Sequence, residues 1–421
     1  MGQETRTPVL FVVEAVTLAQ VVRLWTLAQA LDPSRYEIHF ASARFDERIF
    51  GAGGVPMRRW PIRSLAPEVV DAAVAAGKRI YERQTLAAYV EEERALLREI
   101  RPAVVVGDLR LSLAISAPLE KVPHVALINA YWSPHAVRDA FPLPDHPIVR
   151  VLGERLATRY FPKALPKVFA HFARPVNALR QQHGLPPVGS LPEVLLHGDA
   201  TIFPDVPSLV PTAGGPPHHH YLGPVLWAPR VPLPAWWPAL EAERPTAYVT
   251  MGSSGRTDRL ALVLRALVRL GFQAIVATAG RVQAPAGLPH VHVSELIPGD
   301  AAATRASLVV CNGGSTTGYQ ALAAGRPVIG VASNLDQYLA MTAVEKAGAG
   351  VLLRAGSVDE ARVVAAVERV AGEPAYTRAA AGIARSFAEW DSGARFAALI
   401  ADLTGTEARS AGAAAAQRSA H

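Results

Sequence analysis

The chain has 421 residues, half of them hydrophobic and 19% charged, which suits two globular domains of roughly 200 residues each and excludes a disordered polypeptide. The formal charge of +6 is carried by scattered arginines such as Arg58, Arg59, Arg101, Arg110 and Arg138, with no dense basic block or interleaved aromatics, so no nucleic-acid partner is expected. Cys311 is the only cysteine, which excludes an intrachain disulfide and any multi-cysteine metal site and suits a reducing compartment.

From the N-terminus, residues 9–13 form an apolar run of strand length, 18–31 carry helical periodicity, and 36–42 read as strand again. This is a βαβ opening. Its first run, closed by Glu14, is too short for a signal peptide, and no stretch approaches the roughly 18 apolar residues that would span a bilayer. A cytoplasmic protein without stable membrane insertion is expected. Residues 71–99 read as helix, and 103–106 and 125–129 as strands. The strands are near-continuous apolar runs, as in a parallel sheet covered on both faces. No Walker-type lysine and no GxGxxG follows the first strand, which argues against an NTPase or a nicotinamide enzyme.

Residues 131–187 are aromatic, aliphatic and interrupted by prolines, which predicts short helices and loops. Insertions of this kind shape binding clefts, so Trp132, His135 and Phe141 are candidate acceptor contacts. His218, His219 and His220 have no carboxylate or cysteine at ligand spacing, and no metal site is expected there. Proline and tryptophan concentrate in 223–244, which reads as a linker between an N-terminal domain, 1–222, and a C-terminal domain, 245–405. The final helix of the second domain is allowed to pack back on the first, and 406–421 is a low-complexity tail.

Alternation restarts after the linker with strand 247–251, a glycine-serine turn, helix 258–270, and strands 274–278 and 290–293. The next segment is the most informative of the chain. Strand 308–311 runs into Gly313 and Gly314, which let the backbone approach an anion. Ser315, Thr316 and Thr317 open a helix whose first N–H groups lack helical partners, and their hydroxyls add donors for phosphate oxygens. The helix ends at Gly325, a strand follows Pro327, and the chain emerges at Asp336 and Gln337, side chains suited to sugar hydroxyls. A strand at 351–353 and further helices complete the half.

Cys311-Asn312-Gly313-Gly314-Ser315-Thr316, followed by AL-x-x-G-x-P and Asp336-Gln337, resembles the donor motif of the GT-B glycosyltransferases related to the UDP-glycosyltransferase family, where the pattern runs His-Gly-Gly-x-Gly-Thr. The resemblance implies an α/β protein with two Rossmann-like, doubly wound parallel-sheet domains facing a central cleft, the second binding a UDP- or dTDP-sugar and the first a small hydrophobic acceptor. It further implies that Ser253 and Ser254 border the diphosphate, Ile297 meets the base, Asn312 and Gly313 to Thr317 hold the diphosphate, Gln320 faces the ribose, and Asp336 and Gln337 orient the sugar. No cofactor beyond the nucleotide-sugar co-substrate is implied.

Two positions depart from the pattern. Asn312 stands where the family has histidine, and Gln20 stands where its catalytic histidine sits. A glutamine can position an acceptor but has no basic nitrogen near neutrality. The proton of the attacking hydroxyl must then go elsewhere. The candidates are Glu14, after the first strand, and Asp108, after strand 103–106, with Arg23 and Arg110 placed to pair with them and lower their pKa. The expected function is an inverting hexosyl transfer to a polyketide, terpenoid or phenolic compound. A catalytically impaired relative that binds nucleotide-sugar or a partner enzyme is the alternative, and a nucleotide-sugar epimerase is a third.

Overall fold

Strands that are apolar on both faces need covering on both sides, and this chain provides it twice. The computed structural model describes residues 6–51, 53–145, 149, 153–252 and 256–405. In the first half, β1 (Thr7–Val13), β2 (Tyr36–Ser42), β3 (Met57–Pro61), β4 (Val104–Asp108), β5 (His124–Leu127), β6 (Ala200–Phe203) and β7 (His219–Tyr221) form a sheet in the order β3-β2-β1-β4-β5-β6-β7. In the second half, β8 (Thr246–Thr250), β9 (Gln273–Ala277), β10 (Val291–Ser294), β11 (Leu308–Cys311), β12 (Val328–Ala332) and β13 (Gly350–Arg354) run in the order β10-β9-β8-β11-β12-β13. Every strand pairing in both sheets is parallel.

Strand order reverses between β1 and β4 in one sheet and between β8 and β11 in the other. Loops diverge at such a switch point and leave a crevice at the strands' carboxyl ends. The two crevices face each other. The last helix, Ser392–Thr404, belongs in space to the first sheet: Phe396 and Ile400 are fully buried against β1, and the Phe396 ring lies 5.9 Å from Phe11. The linker is pinned to the second domain, where the Gln273 side chain accepts from Glu241 N at 3.0 Å and donates to its carbonyl at 2.6 Å.

Three elements differ from the sequence reading. The expected helix at 71–99 is two, Pro67–Ala75 and Arg83–Ile100, divided near Gly77, whose φ of +62° a helix cannot hold. His219–Tyr221, for which the sequence reading gave no strand, form edge strand β7, which pairs with β6 through Thr201 and His219. The short helices expected in 131–187 are dominated by one 29-residue helix, Glu154–Gln182, with Pro162, Pro166 and Pro175 inside it. Pro162 and Pro166 sit on its exposed face, where the carbonyls that a proline leaves without a donor can be hydrated. Its buried positions Ala173, Val176 and Leu179 pack with Leu86 and Val90 of Arg83–Ile100, Ile115 and Val194. That tertiary packing overrides the helix-breaking tendency.

Candidate active site

A cavity of about 820 Å³ occupies the space between the two domains and is lined from both. On the second domain its wall is polar. Gly313 turns the chain after β11 at φ +81°, and a Cβ there would stand 2.8 Å from Met341 Cγ, so the turn needs glycine twice over. Helix Ser315–Ala323 then begins with Ser315, Thr316 and Thr317 at the cavity. Asn312 also lines it and accepts from Gly314 N at 3.2 Å, which fixes the amide across the turn.

After β12 the chain enters helix Leu335–Lys346, capped by Asn334, whose side chain accepts from Gln337 N at 3.0 Å. This cap sets Asp336 and Gln337 in the first turn with their side chains at the cavity. Gln337 Oε1 accepts from Ser333 N at 2.8 Å, while its Nε2 is buried and has no partner. A buried amide donor left free calls for a ligand acceptor. Asp336 Oδ1 accepts from two groups of the other domain, Trp132 Nε1 at 2.8 Å and Tyr131 hydroxyl at 3.1 Å. Ile297 lines the cavity from a buried position. Gln320 lines it as well, and its amide nitrogen donates to the Trp227 carbonyl of the linker. Ser253 and Ser254 lie outside the described residues.

The first domain's wall is mostly apolar, with Asp71 and Asp145 at it held in ion pairs by Arg281 and Arg354 of the second domain. Val70 and Val74 of helix Pro67–Ala75 and Tyr160, Leu165, Val168 and Phe169 of the long helix carry much of it, together with Trp132. Phe141 does not line the cavity; it packs edge-on against Phe169 at 5.2 Å and acts only through that ring. His135 is also absent from the lining. Its ring lies 6.1 Å from His219, toward the outer edge of the first sheet, because Ser133 Oγ accepts from His135 N and fixes that turn.

The candidate bases do not converge on the cavity. Glu14 is 1% exposed and accepts from Arg110 Nη1 at 3.0 Å, Leu65 N at 3.0 Å and the Tyr89 hydroxyl at 3.2 Å. Arg110 also donates to buried Glu93 at 2.6 Å and lies 3.7 Å over the Tyr89 ring, so this carboxylate belongs to a structural cluster behind the sheet's end. Asp108 is fully buried and takes both oxygens to Arg23, at 3.0 Å from Nε and 2.8 Å from Nη2. Neither carboxylate lines the cavity; Gln20 and Arg23 do. Gln20 Oε1 accepts from Thr17 N at 2.8 Å and closes a capping box at the start of helix Leu18–Ala28.

The pairing of Arg23 and Arg110 follows the expectation, but its effect on acidity does not. Burial raises both carboxyls in spite of the nearby guanidinium groups, Asp108 to about 6. No histidine is among the described residues that line the cavity. Among the described residues, no cluster of three or more His, Cys, Asp and Glu is placed to hold a metal ion.

A polar network across the domain interface escaped the sequence reading. Arg23 Nη1 donates to Asn129 Oδ1 at 2.8 Å, and Ser315 Oγ reaches the same oxygen at 3.4 Å. Fully buried Asp205 accepts from Asn129 Nδ2 at 3.0 Å, Ala130 N at 2.6 Å and the Tyr319 hydroxyl of the donor-side helix. The one signal in the sequence was Asn129 at the carboxyl end of an apolar strand, beside a second sheet that only the fold brings near.

Comparison with known proteins agrees with this geometry. Residues 261–397 match the family described as erythromycin biosynthesis protein CIII-like, C-terminal domain. A PGL/p-HBAD biosynthesis glycosyltransferase of Mycobacterium tuberculosis strain H37Ra is 47% identical over 384 residues, 91% of this chain and 89% of that protein. A PGL/p-HBAD biosynthesis rhamnosyltransferase of Mycobacterium bovis BCG is 47% identical over 91% of this chain and 84% of its own length. Among solved structures, spinosyn rhamnosyltransferase SpnG complexed with thymidine diphosphate superposes with a TM-score of 0.64 at 19% identity, covering 95% of this chain and 100% of that one. The shared fold is GT-B, and the identity to the mycobacterial proteins extends over nearly the whole length. The chain belongs to the GT-B glycosyltransferase family, beside the PGL/p-HBAD glycosyltransferases.

Proposed function

We propose that the protein is an inverting transferase that moves a hexose, a 6-deoxyhexose such as rhamnose among them, from a UDP- or dTDP-sugar to a small hydrophobic acceptor bearing a phenolic hydroxyl. The observation that carries this reading is the pairing of walls in one cavity: the Asn312–Thr317 turn, Asp336 and the free Gln337 Nε2 on one side, and an aliphatic and aromatic surface on the other. The diphosphate lies at the start of helix Ser315–Ala323, where unpartnered N–H groups and hydroxyls take up the charge that grows on the leaving group. Asp336 and Gln337 hold the sugar's hydroxyls. Trp132 and Tyr131 fix Asp336 by its Oδ1 and leave Oδ2 for the ligand.

The acceptor oxygen attacks the anomeric carbon from the face opposite the diphosphate, and its proton must leave. Glu14 and Asp108 stand behind the lining, and Gln20 cannot take a proton. A phenol, with a pKa near 10 by analogy with tyrosine, ionises far more readily than an alcohol and needs little help from the protein. Arg23 reaches the cavity wall but is held in a bidentate ion pair by Asp108, so the pair brings little net charge to the developing phenolate. The reading involves neither a metal nor a further cofactor. A cytoplasmic setting is part of the proposal, motivated by the lone, buried thiol of Cys311.

A second reading, binding without turnover, rests on the amides at Gln20 and Asn312 where the family pattern has histidines. Incubation with UDP- and dTDP-sugars and a panel of phenols and alcohols, with nucleoside diphosphate release as readout, separates the two. The transferase reading expects product with phenols and its loss in Asp336→Ala. Donor binding by calorimetry with no product across the panel would establish the second.

A further inference from the structure

The face of helix Glu154–Gln182 turned away from the core has a pattern that the transfer reaction does not use. Arg155, Arg159, Lys163, Lys167 and His171 recur every fourth residue, all exposed, and the helix has no acidic residue after Glu154. Four-residue spacing places them in one slowly turning row, about 18 Å long from Arg155 to Lys167. Beside the row runs a second, Leu156, Tyr160 and Val168, exposed by 50%, 53% and 39%. Among the described residues, none of the four arginines and lysines enters an ion pair or a side-chain hydrogen bond. Unpaired cations beside exposed apolar side chains are the composition of an interfacial helix.

Position adds the second argument. Tyr160 and Val168 also line the cavity, so the exposed apolar row continues into its apolar wall. Across the mouth, helix Pro67–Ala75 exposes Val69 by 53% and Val74 by 37%, with exposed Lys78 just beyond it. Both rims of the mouth therefore expose apolar side chains, and the cations are concentrated on the long helix. No helix among the described residues is long and apolar enough to cross a membrane.

We propose that this face docks on the surface of an anionic lipid bilayer, with Arg155, Arg159, Lys163 and Lys167 against the headgroup phosphates and Leu156, Tyr160 and Val168 in the interface. Docking so arranged brings the cavity mouth to the bilayer and gives an apolar acceptor a path that avoids water. An acidic protein would match the charges, but it has no use for apolar side chains that run on into the cavity.

The test is co-sedimentation of the full chain with phosphatidylcholine vesicles, with and without phosphatidylglycerol. It reads no turnover, so its failure leaves the transferase reading intact. We expect binding to the anionic vesicles only, falling as salt rises from about 0.1 M to about 1 M and the screening length shrinks from about 10 Å to about 3 Å. Combining Arg159→Gln, Lys163→Gln and Lys167→Gln should weaken partitioning on the order of a hundredfold, about fivefold for each cation. Tyr160→Ser with Val168→Ser should weaken it as well while leaving the salt dependence in place. Circular dichroism and thermal unfolding establish that each variant is folded. No binding to anionic vesicles, or equal binding by wild type and the glutamine variant, overturns the proposal. So does capture of the chain by polyglutamate under salt at which vesicles fail to bind.

Discussion

The two walls of the cavity are built in opposite ways. The donor-side wall draws Asn312 to Thr317 and Asp336 to Gln337 from a single strand-helix-strand-helix unit, so its chemistry is contiguous in the chain. The acceptor-side wall is gathered from a loop helix, a long helix and the turn after β5, and its chemistry is mostly the absence of polar groups. Phosphate and sugar demand fixed donors at fixed distances, which a local motif can guarantee. An apolar ligand demands area and shape, which many arrangements can supply.

This difference can be broken or sharpened by substitution. The largest effect is expected in the cluster behind the acceptor-side wall. Arg110→Met leaves Glu14 and Glu93 buried without their cation, a loss of about 3–5 kcal/mol for a broken buried pair, measured by urea denaturation. A variant of unchanged stability would mean that Glu14 and Glu93 do not depend on Arg110. Asp336→Ala should lower kcat/KM by about 10²–10³-fold with the fold intact. An effect confined to acceptor KM would place Asp336 on the wrong wall.

Trp132→Phe keeps an aromatic ring in the acceptor wall and removes the Nε1 donor to Asp336. A loss of about 1.5–3 kcal/mol for a hydrogen bond to a charged group, mainly in donor KM, is expected from kinetics with each substrate varied. If acceptor KM rises instead, the residue serves the acceptor through its ring alone.

The last effect is a slope. Burial raises Asp108 from 3.8 to about 6, so between those values the native chain holds a proton that the unfolded chain has lost. Its contribution to stability is full below pH 3.8 and is lost as pH rises through about 6. Urea midpoints measured across that window should show this component in wild type and not in Asp108→Asn. Equal slopes would contradict it.

The unevenness of the walls also decides what could be read from sequence. The doubly wound halves were legible because buried parallel strands are apolar runs, and the turn at Gly313 and Gly314 was legible because glycine pairs, hydroxyls and a strand follow one another directly. Strands β3, β6 and β7 were missed: Met57–Pro61 holds two arginines and a proline, and His219–Tyr221 is three residues of an edge. The long helix was hidden by its prolines, and with it the four-residue recurrence of cations that had looked like scattered charge. Gln20 was taken from a pattern of related sequences, while the local signal Thr17-x-x-Gln20, a capping box, pointed to its observed role. Asp108 and Glu14 do stand at strand ends, as expected. Which side of the strand's end faces the cavity depends on packing with helix Arg83–Ile100 and on Arg23, and no sequence period encodes that.

The most direct measurement is the rate of sugar transfer from a UDP- or dTDP-sugar to a series of phenols of graded acidity, followed across pH. Among the described residues that line the cavity there is no imidazole, and Asp71, Asp145 and Glu295 there are ion-paired with Arg281, Arg354 and Arg48. Product should therefore form without a general base, and kcat/KM should rise with pH up to each phenol's own pKa and move with it, unchanged in Glu14→Gln. Absence of product with every donor, or a profile fixed near neutrality whatever the phenol, would contradict this account.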